Sequence, residues 1–254
     1  MNGKFVLYIR DADSVNITGC YFDGISNSYL VMVRYTANFH LQHTSFTNNT
    51  ATSHIVQVFS ITNFYLQRTT FVNNIAGFGV VTADSTTNFL LQHSTFQHNR
   101  ARKHVVIAWN TNSITITKCE FHGNIGKEGI VYIEPESKSS PLTNTTITRS
   151  TFIDNSAAKL SHAIYHIGHL TLRNVTVVST NDVNSSLHQI VNQIGSFKAD
   201  DVTLNIQKSD RRMVRNGYSY WQYAIMFGVL PIILIFPAAF GVSLNMMIFI
   251  FHHT

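Results

Sequence analysis

The chain has 254 residues with a formal net charge of +5, and 44% of it is hydrophobic against only 12% charged. That balance excludes an intrinsically disordered chain, a coiled coil and an acidic tail protein. Two cysteines exclude a disulfide framework or a zinc site built from four thiolates.

At the start, Met1-Asn2-Gly3-Lys4 leads into a short apolar run that ends at Arg10 and Asp11, so no signal-peptide core is visible there. Val6-Leu7-Tyr8-Ile9 aligns with Leu30-Val31-Met32-Val33. The sequence therefore opens partway through a repeat, and further coils are expected upstream.

The repeat itself is plain. Asn38-Phe-His-Leu-Gln-His-Thr-Ser-Phe46 returns as Asn63-Phe-Tyr-Leu-Gln-Arg-Thr-Thr-Phe71, Asn88-Phe-Leu-Leu-Gln-His-Ser-Thr-Phe96 and Ser113-Ile-Thr-Ile-Thr-Lys-Cys-Glu-Phe121, 25 residues apart each time. Phe22 precedes this series one residue short of a period; Phe152 follows after 31 residues, the surplus falling around Pro135 to Pro141, and Val177 comes 25 later. Phe39, Leu41, Thr44 and Phe46 alternate inward, with a phase change that predicts a bend between two short strands. A second β-rich run (Leu30 to Val33, Ile55 to Phe59, Val80 to Thr82, Val105 to Ile107, Ile130 to Ile133) completes each copy. Strands this short bury their apolar faces only by stacking like on like. The fold expected is all-β: a right-handed parallel β-helix of about seven to eight coils over 1–207. Residues 208–217 read as a basic linker and 218–254 as a transmembrane α-helix with a short tail.

Each copy also carries F-x-x-N: Phe46 with Asn49, Phe71 with Asn74, Phe96 with Asn99, Phe121 with Asn124 and Phe152 with Asn155. These columns read as structural ladders, the Asn tolerating a left-handed turn and stacking its amide along the column. The pattern resembles the F-x-x-N repeats of polymorphic outer-membrane-protein adhesins, within the pectin-lyase-like β-helix superfamily. In the place of that family's G-G-A-[ILV] motif stand Gly79-Val-Val, Gly129-Ile-Val and His162-Ala-Ile. The resemblance implies an extracellular binding or adhesion domain, with a polysaccharide lyase or hydrolase as the alternative.

Chemistry-bearing residues are sparse. Cys20 and Cys119 share a column four coils apart, about 19 Å at roughly 4.8 Å per coil, too far for a disulfide. Both are expected to be unpaired and inward-facing. An enzyme of this fold needs clustered acids. Asp11, Asp13 and Asp84 occupy different columns, and Asp200-Asp201 is the only adjacent pair. His162, His166 and His169 lack a helix to gather them, and His252-His253 close the chain, so no metal site and no cofactor is expected. One column is basic: His43, Arg68, His93, Lys118 and Arg149 share a register position, outward by the alternation. It suggests a docking ladder for an anionic glycan or a protein ligand. No stacking aromatics interleave it, and no nucleic-acid partner is expected.

After Arg215 no charged side chain occurs, and Ile225 to Phe251 is apolar apart from Ser243 and Asn245, enough to cross a bilayer of about 30 Å. Tyr218, Tyr220, Trp221 and Tyr223 crowd its entrance as an aromatic belt; contact with the lipid bilayer is expected through 221–251. Lys208, Arg211, Arg212 and Arg215 flank the span, and by the positive-inside rule they place the β-helix in the cytosol. N-x-S/T sequons at Asn16, Asn48, Asn144, Asn174 and Asn184 are no more than chance supplies. The resemblance implies the outside, and an extracellular or lumenal β-helix is the expectation.

Overall fold

The computed structural model describes residues 5–135, 142–158, 161–179 and 188–206. The expected transmembrane segment, Asn184 and His252-His253 lie outside the described residues. Among the described residues no helix is long and apolar enough to cross a membrane.

Every strand pairing is parallel, and each strand meets its equivalent in the next copy rather than its neighbour in sequence. The result is a β-solenoid of about seven turns. Each turn has three faces. The first carries strands such as Asn88–Gln92 over Ser113–Thr117, the second Thr95–Gln97 over Glu120–His122, and the third Gly79–Asp84 under His104–Trp109. The long strands Ser26–Gln42 and Thr50–Gln67 run through the third face and on into the first.

The register follows the repeat through its irregular copies. Phe22 pairs with Phe46 and Phe121 with Phe152 across the long connection, and Phe152 pairs with Val177. The six phenylalanines form one file, with successive ring centroids 4.7, 4.9, 4.8, 4.9 and 4.7 Å apart and nearly coplanar. Phe39, Phe64 and Phe89 form a second file. Apart from the partly buried Phe22, these rings are buried and contribute about 1.5–3 kcal/mol each by removal from water, which is why strands of three residues persist here.

Turns between faces are made by left-handed residues in three columns. Asp11, Tyr35, Ser60, Ser85 and Asn110 close the third face; His43, Arg68, His93, Lys118 and Arg149 close the first; Asn48, Asn73, His98, Gly123 and Asp154 close the second. This corrects the expected role of the F-x-x-N asparagines. Their φ is not positive; the residue just before each takes the left-handed turn. That turn instead aims the following Asn inward, where its amide is fully used. Asn74 Nδ2 donates to Phe46 O at 2.9 Å and to Asn99 Oδ1 at 2.9 Å, while Asn74 Oδ1 accepts from Asn49 N and Nδ2. The same set links Asn99, Asn124 and Asn155.

The cysteines need a second correction. Cys119 is buried in the hydroxyl column, its N–H donating to Ser150 Oγ at 3.1 Å, with its thiol pushed up to about 12 by burial. Cys20 keeps the column, its N–H donating to Thr44 Oγ1 at 3.4 Å, but its side chain is exposed. It sits on the outermost described rung of its column, where only one side is covered.

Candidate functional site

The basic column is exposed along its whole length. Alternation is not the cause: each residue occupies the left-handed corner between first and second faces, with φ between 47° and 53°, and that corner throws the side chain outward. Stacking brings Arg68 Nη1 to 3.5 Å from His43 Nε2. Polar ladders flank it. On one side Gln42, Gln67 and Gln92 are in register, with Gln67 Nε2 donating to Gln92 Oε1 at 3.2 Å. On the other, Thr70 Oγ1 donates to Ser45 Oγ at 3.1 Å. At the far edge of the first face Asn63 Nδ2 donates to Asn38 Oδ1 and Asn88 Nδ2 to Asn63 Oδ1, both at 2.9 Å. That second asparagine ladder is made by Asn38, Asn63 and Asn88, which open three of the four copies, with Ser113 opening the fourth.

The acids do not gather. Asp11 is paired with Arg10 at 2.6 Å in the turn column of Tyr35 and Ser60, whereas Asp84 stands in the column of Arg34, Phe59 and Trp109. His166 is buried and bonded on both nitrogens, Nδ1 to Asn192 Oδ1 and Nε2 to Thr145 Oγ1, while His169 is exposed and bonded to Ser196. Among the described residues no three of His, Cys, Asp or Glu converge as metal ligands. Asn16, Asn48, Asn144 and Asn174 are all exposed, and none of them is on the third face.

The third face holds what the repeat did not announce. Its outward column, Met32, Gln57, Thr82, Ile107, Tyr132 and Tyr165, faces solvent by alternation, yet Thr82 is 2% and Ile107 1% exposed. The adjacent column reads Tyr29, His54, Gly79, His104 and Gly129. At Gly79 a Cβ would fall 2.8 Å from Thr82 Oγ1 and 2.9 Å from Ile107 Cδ1, so the missing side chain is what lets these two settle there. Tyr132 stacks on His104 at 4.3 Å. Above them Lys103 Nζ lies over the ring of Phe78 at 4.5 Å and over that of Trp109 at 6.0 Å. Trp109 Nε1 donates to Glu134 Oε2 at 3.2 Å, and the Tyr132 hydroxyl also bonds that carboxylate.

A hollow of about 80 Å³ opens among Phe78, Lys103, His104, Trp109, Glu128 and Tyr132. It adjoins a groove of about 290 Å³ that shares Phe78, Lys103 and Glu128 and adds Arg102 and Lys127. Burial holds the imidazoles of His54 and His104 down to about 4, against the pull of Glu128 on His104. Although His104 Nε2 is 3.6 Å from Glu128 Oε2, the contact is therefore between a carboxylate and a neutral ring at pH 7.

The chain matches the model of the right-handed β-helix region over residues 5–192. It belongs to that family. Among curated proteins none matches the chain. In this right-handed β-helix the stacking turns any periodic residue into a stripe with one copy per coil, about 4.8 Å apart. Side chains of unlike type on one face are gathered only by the coil geometry.

Proposed function

We propose that the β-helix is a rigid, membrane-anchored docking surface for an anionic polymer, an acidic glycan by preference. The observation that carries this reading is the exposed column His43, Arg68, His93, Lys118 and Arg149, a basic group on each of five successive coils. A stiff ladder bearing the cations Arg68, Lys118 and Arg149, with His43 and His93 in the same column, meets a polyanion without ordering its own side-chain scaffold first, and the flanking Gln and Ser/Thr ladders offer hydrogen bonds to sugar hydroxyls. Lys118 and Arg149 stand on successive coils, where like charges disfavour one another, and a polyanion relieves that repulsion.

The anchoring half of the proposal rests on the uncharged tract Ile225 to Phe251. Exposure of the four described sequon asparagines fits an extracellular or lumenal β-helix. Full-length chain is expected to stay in the membrane pellet after alkaline carbonate extraction.

The column is tested by titrating the full chain with a heparin-type polysaccharide at several salt concentrations. Binding is expected to weaken steeply with salt. The double variant Arg68→Glu/Lys118→Glu is expected to lose about tenfold or more in affinity, at roughly 1 kcal/mol per exposed charge. Binding indifferent to both salt and charge reversal would overturn the proposal.

A further inference from the structure

Six buried side-chain polar atoms among the described residues have no hydrogen-bond partner: Arg34 Nε, His54 Nε2, Gln57 Oε1, Thr82 Oγ1, His104 Nδ1 and Thr143 Oγ1. All but the last belong to the third face, in three adjoining columns. Each buried polar group left unpaired costs about 1–3 kcal/mol. Such groups are few in a native fold and call for an explanation where they cluster. Of these, His104 belongs to the lining of the hollow among Phe78, Lys103, Trp109, Glu128 and Tyr132, and the His54 ring lies 4.9 Å from that of Phe78.

We propose that this hollow binds one acidic sugar ring, the terminal or branching unit of a glycan, at a site separate from the basic column. The chemistry of the lining selects that class. With a proton on the Nε2 that faces Glu128, His104 keeps a bare lone pair on Nδ1, an acceptor for a hydroxyl. Glu128 accepts from a second hydroxyl. Phe78 and Trp109 present apolar ring faces, the surface that the C–H side of a pyranose covers. Arg102, Lys103 and Lys127 outnumber Glu128 around the groove, which calls for a carboxylate or sulfate on the ring. A hollow of about 80 Å³ leading into a groove of about 290 Å³ takes one ring and part of a second, not a polymer in passage. Lys103, whose ammonium rests on the ring faces of Phe78 and Trp109, lines the hollow together with His104.

Trp109 is the reporter. In full-length chain carrying Trp221→Phe, titration with glucuronate and with N-acetylneuraminate is expected to quench Trp109 fluorescence saturably, and glucose much more weakly. Lys103→Met keeps an apolar stem over Phe78 while removing the charge, and is expected to weaken the acidic sugars at least tenfold. His104→Phe, which fills the ring's place without an acceptor, is expected to weaken them similarly while leaving the circular dichroism spectrum unchanged. Arg68→Glu/Lys118→Glu, which tests the column, is expected to leave the quenching intact, so the two sites fail or stand independently. No saturable response, an equal response to glucose, an equal response to uridine monophosphate, or indifference to Lys103→Met overturns the site.

Discussion

At the scale of single residues, the asparagine of each copy does more than occupy a turn. Asn99 donates to Phe71 O at 2.8 Å and to Asn124 Oδ1 at 3.0 Å, and accepts from Asn74 N and Nδ2. Asn99→Ala removes all of these together, leaving Asn74 N without its acceptor, Asn74 Nδ2 with only Phe46 O, and the Phe71 carbonyl without its amide donor. A loss of about 3 kcal/mol is expected by chemical denaturation, against about 1 kcal/mol or less for Asn88→Ala in the partly exposed ladder. A comparable cost at the two sites would show that the buried ladder is not what holds the corner. The buried histidines belong to this scale too. Burial lowers His54, His104 and His166 to about 4 from an ordinary value of 6.5. The unfolded chain then binds more protons between those values, so stability is complete above about pH 6.5 and falls as the pH drops toward 4. Each ring can contribute up to about 3 kcal/mol to that loss. The midpoint of thermal unfolding is expected to be lower at pH 5 than at pH 7.5, and His54→Phe should flatten that acid limb.

Among the elements, the phenylalanine file shows why position along the solenoid matters as much as residue type. Phe96 has rings on both sides, at 4.8 and 4.9 Å, and is fully buried. Phe22 stacks on one side only, at 4.7 Å from Phe46, and is partly buried. Phe96→Ala is expected to cost about 3–5 kcal/mol and Phe22→Ala less than half of that, measured by the same denaturant titration. Equal costs would mean that the coils do not rely on nearest-neighbour stacking. The same logic explains the cysteines: one column, one residue type, and opposite exposure because Cys20 lies on the outermost described rung of that column.

For the molecule as a whole, stability is a sum over coils and their interfaces. Hydrogen exchange is expected to be slowest in the strands from 46 to 133, which are covered on both sides, and fastest in Phe5–Arg10 and Phe197–Ile206. Uniform protection would instead indicate a single cooperative unit. If the β-helix faces the lumen, glycosidase treatment of chain from secretory cells should shift its mobility, and Asn→Gln at Asn16, Asn48, Asn144 or Asn174 should each remove one step. None of these sites would place a glycan on the third face.

How much of this was legible in advance follows from what repeats and what does not. The coil, its register, the inward Phe and Asn ladders and the basic stripe all recur at fixed spacing, and stacking in a β-helix converts spacing directly into contact. Which residue of Phe-x-x-Asn takes the left-handed turn is not legible in the sequence, because both positions carry turn-tolerant residues and only the backbone distinguishes them. The hollow on the third face had no periodic signal at all. Gln57, Thr82, Ile107 and Tyr132 share a column without sharing chemistry; Thr82 and Ile107 are buried where Gly79 lacks a side chain, and Tyr132 is half-buried against the His104 ring. The amino-acid order alone determined that the chain must coil and which side chains line the axis, since a short amphipathic strand has no other way to leave water. Which outward groups would end up enclosed and unpaired was decided only in three dimensions, since enclosure depends on neighbours one coil away whose identities obey no period.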